Sequence, residues 1–261
     1  MIRSVKPWAA ILAALAVAAI APAAGAAPCP GNADALGTAR ILDVDAATTP
    51  RVGRKQFPQT LPLAPNEVVL TFDDGPWPVT TERILDALRQ ECVRATFFLI
   101  GRNAAVRPAL AQRELAEGHT VGYHSFSHPM LDRMPIEAAQ TDVDRGIAAV
   151  DGALRGQAAH AAAFFRFPYF SSTPPLLDWL ERRRMAVFGA DLWASDWNRM
   201  TPDQELRLVL DRVETNQGGI VLFHDTKAQT AAMLPAFLRA LKAGGFSIVD
   251  VAEPGTHPQA P

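Results

Sequence analysis

From residue 67 onward, short apolar runs alternate with longer amphipathic stretches. "VVLTF" (68–72) predicts a buried strand, and "TERILDALRQ" (81–90) carries Ile84, Leu85 and Leu88 on one helical face. "ATFFLI" (95–100) predicts a second strand, followed by a helix over "PALAQRELAEG" (108–118), with Pro at its start and Gly at its end. The pattern continues with "HTVGY" (119–123), a long helix from about Pro135 to Leu154, and "AFFRF" (163–167). A helix around "PPLLDWLERR" (174–183), then "MAVFGA" (185–190), and a helix from about Pro202 to Thr215 come next. "GIVLF" (219–223), a helix through "AAMLPAFLRALKAG" and "FSIVD" (246–250) complete the series. About seven strands separated by helices predict an α/β fold with a parallel sheet, open or closed into a barrel. Residues 27–66 lack such periodicity. Rich in Ala, Pro, Thr and Asp, they predict an N-terminal arm or linker.

The start of the chain breaks the pattern differently. Arg3 and Lys6 precede the apolar run "WAAILAALAVAAI" (8–20), and Ala24 and Ala26 follow in an A-x-A arrangement. This is the layout of an export signal cleaved near Ala26. The run is short for a membrane span, which needs roughly 20 residues. Cleavage would remove two cations and no acids, moving the net charge from -2 to -4. That balance gives no support for a nucleic-acid or anionic-membrane partner. Two cysteines, Cys29 and Cys92, would meet an oxidising compartment, where a disulfide is possible and a buried thiol is the alternative. The predicted organisation is a signal over 1–26, an arm over 27–66, the alternating α/β domain over 67–255 and a tail over 256–261.

Polar residues gather where the predicted strands end. Asp73 and Asp74 follow the first, His124 and His128 the third, Arg166 and Tyr169 the fourth, Asp191 and Asp196 the fifth, and His224 and Asp225 the sixth. Parallel α/β folds place their sites at the carboxyl ends of the strands, so these groups are expected to converge. In "HSFSH" (124–128) the two histidines stand four residues apart. With Asp74 they form a His-His-Asp set, typical of a catalytic zinc with an open position. Two loop histidines with unrelated hydrogen bonds are the bland alternative. In "TFDDGP" (71–76) one acid would then ligate metal, while the other accepts a proton from water. Asp as a turn or cap residue is the bland alternative here.

"TFDDGP", "HSFSH", "RFPY" (166–169), "SDW" (195–197) and "LFH" (222–224) resemble, in this order, five motifs of the polysaccharide deacetylase family. This is the NodB-homology domain, carbohydrate esterase family four, and the likeness spans about residues 67–250. It implies a distorted (β/α) barrel with fewer than eight repeats, and hydrolysis of acetyl groups from acetylated glycans. It further implies one divalent metal ion, zinc before cobalt or another ion, on Asp74, His124 and His128. Asp73 becomes the general base, His224 the general acid, and Arg166 the partner of Asp73. The backbone N–H of Tyr169 would face the oxyanion, with Leu222 and Trp197 lining the acetyl pocket.

The chain departs from the family pattern in two places. "DLWASDW" spaces Asp191 and Asp196 more widely than the paired acids of the fourth motif. Asp196, which directly precedes Trp197, is favoured as the partner of His224, with Asp191 the alternative. Phe167 and Phe170 stand where Pro and Gly are common. Trp193 reads equally as a sugar platform or a core aromatic. The expected substrates are N-acetylglucosamine polymers (peptidoglycan, chitin-like oligomers or exopolysaccharide) ahead of acetylated xylan. A metal phosphohydrolase is disfavoured by the lack of a Gly-rich phosphate cradle. A non-catalytic glycan-binding barrel is disfavoured because the base, the ligands and the acid are all present.

Overall fold

The computed structural model describes residues 29–256. The expected signal segment, and the tail from residue 257, lie outside the described residues. Ten strands form the sheet: β1 (Thr38–Asp43), β2 (Arg51–Val52), β3 (Glu67–Asp73), β4 (Thr96–Leu99), β5 (Thr120–Tyr123), β6 (Phe164–Phe165), β7 (Ala186–Phe188), β8 (Leu192–Trp193), β9 (Gly218–His224) and β10 (Ser247–Ala252). The helices are α1 (Thr80–Gln90), α2 (Gly101–Val106), α3 (Pro108–Ala116), α4 (Ile136–Ala153), α5 (Pro174–Arg182), α6 (Pro202–Asn216) and α7 (Ala228–Ala243). All strand pairs are parallel, as βα alternation requires.

The curved wall runs β8-β9-β3-β4-β5-β6-β7-β2, and β10 joins the start of β3 to β1. Strands β2 and β8, at the two ends, share no pairing among the described residues. The result is the expected distorted barrel, with ten strands where about seven were predicted. The three additional strands are β1, β2 and β8. Two of them have only two residues each. The third, "TARILD", shows no alternation of burial that a sequence pattern would register. The segment expected to be an arm thus contributes two strands, β1 against β10 and β2 against β7.

Period two along β3 sorts its side chains. Val68, Leu70 and Phe72 face the helices, and Val69 faces the barrel interior with Phe98, Phe164, Phe188 and Ile220. Phe72 stacks between Phe97 and Phe223 on the neighbouring strands, at 5.1 and 5.5 Å. Each such aromatic pair adds about 0.5–1.5 kcal/mol beyond its burial. Thr71 and Asp73 share the parity of Val69, so the interior becomes polar as β3 reaches its carboxyl end.

Helix ends follow the sequence signals. Proline opens α3, α5 and α6. Thr201 and Gln204 form a reciprocal capping box on α6. Ile84, Leu85 and Leu88 are fully buried, as their spacing predicts. The six-residue α2 was not predicted, being too short to show a helical period.

Cys29 and Cys92 form a disulfide that ties the start of the N-terminal segment to the residues following α1. The two half-cystines are 63 positions apart. Removing such a bridge typically costs about 2–5 kcal/mol, because the unfolded chain regains the freedom of the loop. The double variant Cys29→Ser/Cys92→Ser is therefore expected to unfold at lower denaturant than the oxidised parent, by an amount in that range. Equal midpoints would show that the bridge adds no stability.

Candidate functional site

The site lies at the carboxyl end of the wall and is built outward from Arg166, which follows β6 and is fully buried. Its Nη1 donates to Asp73 Oδ1 at 2.8 Å and to Thr71 Oγ1 at 2.7 Å. Nη2 donates to the Gly189 carbonyl at 2.7 Å, and Nε to the Phe188 carbonyl at 3.1 Å. The guanidinium also lies over the Phe98 ring, 4.4 Å from its centroid. One side chain thus joins β3 to the end of β7. A buried cation needs this degree of pairing, because desolvation costs several kcal/mol.

Asp73 and Asp74 are adjacent, and on a regular strand they would point to opposite faces. The backbone turns at Asp74 itself, which has φ 78°. Both carboxylates consequently reach the same cavity. The turn is buttressed by Asp225, a buried residue whose backbone N–H donates to the Asp73 carbonyl at 3.2 Å. Asp225 Oδ2 accepts from Thr81 Oγ1 at 2.5 Å, and Thr81 Oγ1 accepts from Trp77 N at 2.8 Å. Gly75 packs directly on this carboxyl. A Cβ there would lie 2.0 Å from Asp225 Oδ2, so only glycine fits. Burial, reinforced by the charge of Asp74, pushes the Asp225 carboxyl well above its ordinary range.

The "HSFSH" segment is a tight turn, with φ 61° at both Ser125 and His128. Asp142 of α4 holds it by accepting from the backbone N–H groups of Phe126 and Ser127 and from the Ser127 hydroxyl. Gly146 lets α4 approach, since a Cβ there would lie 2.4 Å from the Ser125 carbonyl carbon. His124 Nδ1 lies 2.7 Å from the Arg166 carbonyl, so that nitrogen carries the proton and Nε2 presents a lone pair to the cavity.

Asp74 Oδ1 stands 3.5 Å from His124 Nε2 and 3.2 Å from His128 Nε2. The donor atoms of Asp74, His124 and His128 all lie within 4.8 Å of one another. Asp74 Oδ1 is buried without a hydrogen-bond partner. Burial alone would raise the Asp74 carboxyl, but the facing His124 and His128 imidazoles hold it well below the usual carboxylate range. Two imidazole nitrogens and one carboxylate oxygen around an unpartnered buried atom suit a divalent transition metal. Asp73 stands beside this group, with Oδ2 3.7 Å from His124 Nε2.

Opposite stands His224, at the end of β9. Its Nδ1 lies 2.7 Å from Asp196 Oδ1, and its backbone N–H donates to Asp196 Oδ2 at 2.7 Å. Burial lowers the His224 imidazole, but the Asp196 carboxylate outweighs it and, with Asp74 and Asp73, moves it up to about 9. Asp191 does not join this pair. It accepts from Arg54 N, the Thr60 hydroxyl and Ile220 N, fastening the segment after β2 to β9. The alternative pairing of Asp191 with His224 is thereby excluded. Its carboxylate is already committed to three donors.

Trp197, 47% exposed, stands edge-on to His224 at 5.9 Å, while Leu222 is buried. Tyr169 has φ 56° and lies 4.6 Å from the His128 ring. Trp193 is half-buried between Phe170, which stacks on it at 6.3 Å, and Trp197 at 5.6 Å. Phe167, where the family pattern has Pro, is a core residue. All ten sequence-predicted site residues therefore gather at one end of the wall. No role was legible in the sequence for Thr71, for Asn103, whose side-chain amide donates to the Asp74 carbonyl at 2.8 Å, or for Asp142 and Thr230, and Asp225 was expected at a strand end only as a polar neighbour of His224. Thr71 opens "TFDDGP" and Asp225 follows "LFH", but their roles depend on contacts with distant segments.

A parallel α/β barrel with acids and imidazoles at its carboxyl end defines the class, and comparisons narrow it. A family model described as polysaccharide deacetylase matches residues 61–186. A chitooligosaccharide deacetylase of Sinorhizobium fredii is 34% identical over 195 residues, covering 69% of this chain and 88% of that protein. A peptidoglycan-N-acetylglucosamine deacetylase of Listeria monocytogenes is 32% identical over 71% of this chain, and the match spans 38% of the Listeria protein's length. Among solved structures, a peptidoglycan deacetylase of Bdellovibrio bacteriovorus superimposes with a TM-score of 0.73 at 32% identity, covering 82% of this chain and 59% of that one. The chain belongs to the polysaccharide deacetylase family.

The Arg166–Asp73 pair makes a stability prediction. Arg166→Met leaves the Asp73 carboxylate buried without its cation and two strand-end carbonyls without a donor. Breaking one side of a buried pair costs about 3–5 kcal/mol. Urea unfolding of this variant is expected to show a loss of that size. A loss below about 1 kcal/mol, the range of surface pairs, would contradict the pair's structural role.

Proposed function

We propose that this protein hydrolyses the acetamide of N-acetylated glycans, with N-acetylglucosamine polymers as substrates and a divalent metal held by Asp74, His124 and His128. The observation that carries this reading is the division of the acids at one cavity: Asp74 faces two imidazole nitrogens, while Asp73 faces Arg166. Relatives named for peptidoglycan and chitooligosaccharide deacetylation support the amide and the glycan. A bound metal would polarise the acetyl carbonyl and lower the pKa of water.

The chain's own residues do the proton transfers. Arg166 holds Oδ1 of Asp73, leaving Oδ2 free to take a proton from the attacking water. Water adds to the acetyl carbon, and the backbone N–H of Tyr169 donates to the resulting oxyanion. His224 gives its proton to the sugar nitrogen as the carbon–nitrogen bond breaks, releasing acetate and a glycan amine. Asp196 holds the Nδ1 proton of His224 so that Nε2 faces the leaving group, and it favours the protonated ring. Leu222 and Trp197 line the acetyl pocket.

The same reading makes this an exported protein, cleaved near Ala26 and acting on glycan outside the cytoplasm. A disulfide is at home in that compartment. Among the described residues no helix is long and apolar enough to cross a membrane.

The test is acetate release from N-acetylglucosamine oligomers and peptidoglycan, with bound metal measured in the same samples. Chelation should abolish turnover, and zinc or cobalt should restore it. Asp74→Ala should lose metal, since it removes the one anionic ligand. Asp73→Asn should keep its metal and lose turnover by roughly a hundredfold to ten-thousandfold, the usual loss with a general base. Metal loss in Asp73→Asn with retention in Asp74→Ala would reverse the assignment. Release confined to acetylated xylan would redirect the substrate, and phosphate-ester cleavage without acetate release would replace the reaction.

A further inference from the structure

Behind the His224–Asp196 pair, two buried carboxyl groups share one hydroxyl. Thr230 Oγ1 lies 3.0 Å from Asp196 Oδ2 and 2.8 Å from Glu205 Oε1. Thr230 and Glu205 have no exposure, and Asp196 is 1% exposed. A threonine hydroxyl has a single proton. It can donate to one of these carboxyls, and the other contact needs a proton brought by the carboxyl itself. Were both acids ionised, one would face an oxygen lone pair in a site closed to water.

The neighbours decide which acid carries that proton. Asp196 faces the His224 ring N–H on Oδ1 and the His224 backbone N–H on Oδ2, so it is surrounded by donors. Glu205 has none of this. Its Oε2 is buried without a partner, and among the described residues it forms no ion pair. The groups around it are Thr230 from α7, Asp196 from the segment after β8 and, beyond Asp196, His224 from β9. Arg212, two turns along α6, is committed to the Trp193 carbonyl and Ser195 Oγ.

We infer that Glu205 is a neutral hydrogen-bond donor that completes a proton-ordered chain, Glu205 to Thr230 to Asp196, and so positions the general acid His224. This rests on the deacetylase reading of His224. With Glu205 neutral, its proton goes to Thr230 Oγ1, and the Thr230 proton is directed onto Asp196. Asp196 then receives three donors and keeps the imidazole in one orientation. When Glu205 ionises, Thr230 turns its proton toward Glu205. Asp196 loses a donor and gains a negative neighbour, which binds the His224 proton more tightly and makes the ring a poorer acid.

The electrostatics agree with the geometry. Burial raises the Glu205 carboxyl to about 7, with Asp196 adding to the shift and Thr230 and His224 opposing it. Glu205 is thus neutral below that pH and ionises above it. The step in activity falls in the same window, with the faster form on the acid side.

The test compares the metal-loaded parent with Glu205→Gln and Glu205→Ala across that window, reading kcat, KM and the infrared carbonyl band of neutral carboxyl groups. In the difference spectrum between parent and Glu205→Gln, a neutral-carboxyl band should be present on the acid side of neutrality and vanish on the alkaline side. Glu205→Ala should lower kcat on the acid side of that window, where the parent's Glu205 is neutral, because Thr230 is then free to turn away. Glu205→Gln should restore kcat, since its amide donates to Thr230, and it should lack the parent's fall in kcat as pH rises. KM should stay unchanged in both variants, because Glu205 touches no substrate. Absence of the band, a pH profile in Glu205→Gln identical to the parent's, or Glu205→Gln as slow as Glu205→Ala would each overturn the proposal. A parent that shows the titrating band but releases no acetate would overturn the reaction and leave the proton order standing.

Discussion

The buried guanidinium of Arg166 is the constraint around which the rest of the structure is arranged. A cation with no exposed surface persists only if every donor is met, and here the partners come from several places in the wall. Thr71 and Asp73 come from β3, and the Phe188 and Gly189 carbonyls come from the end of β7. The arginine therefore spans the barrel interior at the level where it changes from apolar to polar. It joins β3 to the end of β7 and fixes one oxygen of Asp73. Its own carbonyl orients His124, so Asp73 and His124 are both set by one residue. Replacing such a network with apolar residues is often neutral for stability. The pairing therefore finds its explanation in the site rather than in the energy of the fold.

The two neighbouring acids illustrate how backbone geometry separates chemical roles. Asp73 is the last residue of β3 and obeys its alternation, so it points inward to Arg166. Asp74 leaves the strand in a left-handed conformation and swings its carboxylate to the two imidazoles. Side-chain chemistry is identical, and environment alone distinguishes them. The same logic distinguishes Asp191 from Asp196. Both follow β7 in sequence, yet one staples a loop and the other holds His224.

The parts of the fold visible in the sequence were those whose information is local. Strands in the wall are continuous apolar runs because both faces are buried, and the helices carry proline starts and apolar stripes. The site residues were legible because each sits at a strand's carboxyl end, where the topology gathers them. Strands β1, β2 and β8 were not legible. Two residues show no period, and β1 owes its conformation to pairing with β10, more than 200 positions later. The roles of Asp225 and Thr230 were not legible for a related reason. An aspartate after a strand and a threonine inside a helix are ordinary in sequence, and only three-dimensional contact shows one beneath the Asp73–Asp74 turn and the other between two carboxyls.

In the proposed reaction the adjacent acids divide between metal and proton. Anomalous diffraction at the zinc edge from crystals of metal-loaded protein tests it most directly. One strong peak is expected about 2.0–2.2 Å from a carboxylate oxygen of Asp74 and from Nε2 of His124 and His128, with Asp73 outside the coordination sphere and still paired with Arg166. A peak bonded to Asp73, or one located away from these three residues, would contradict it.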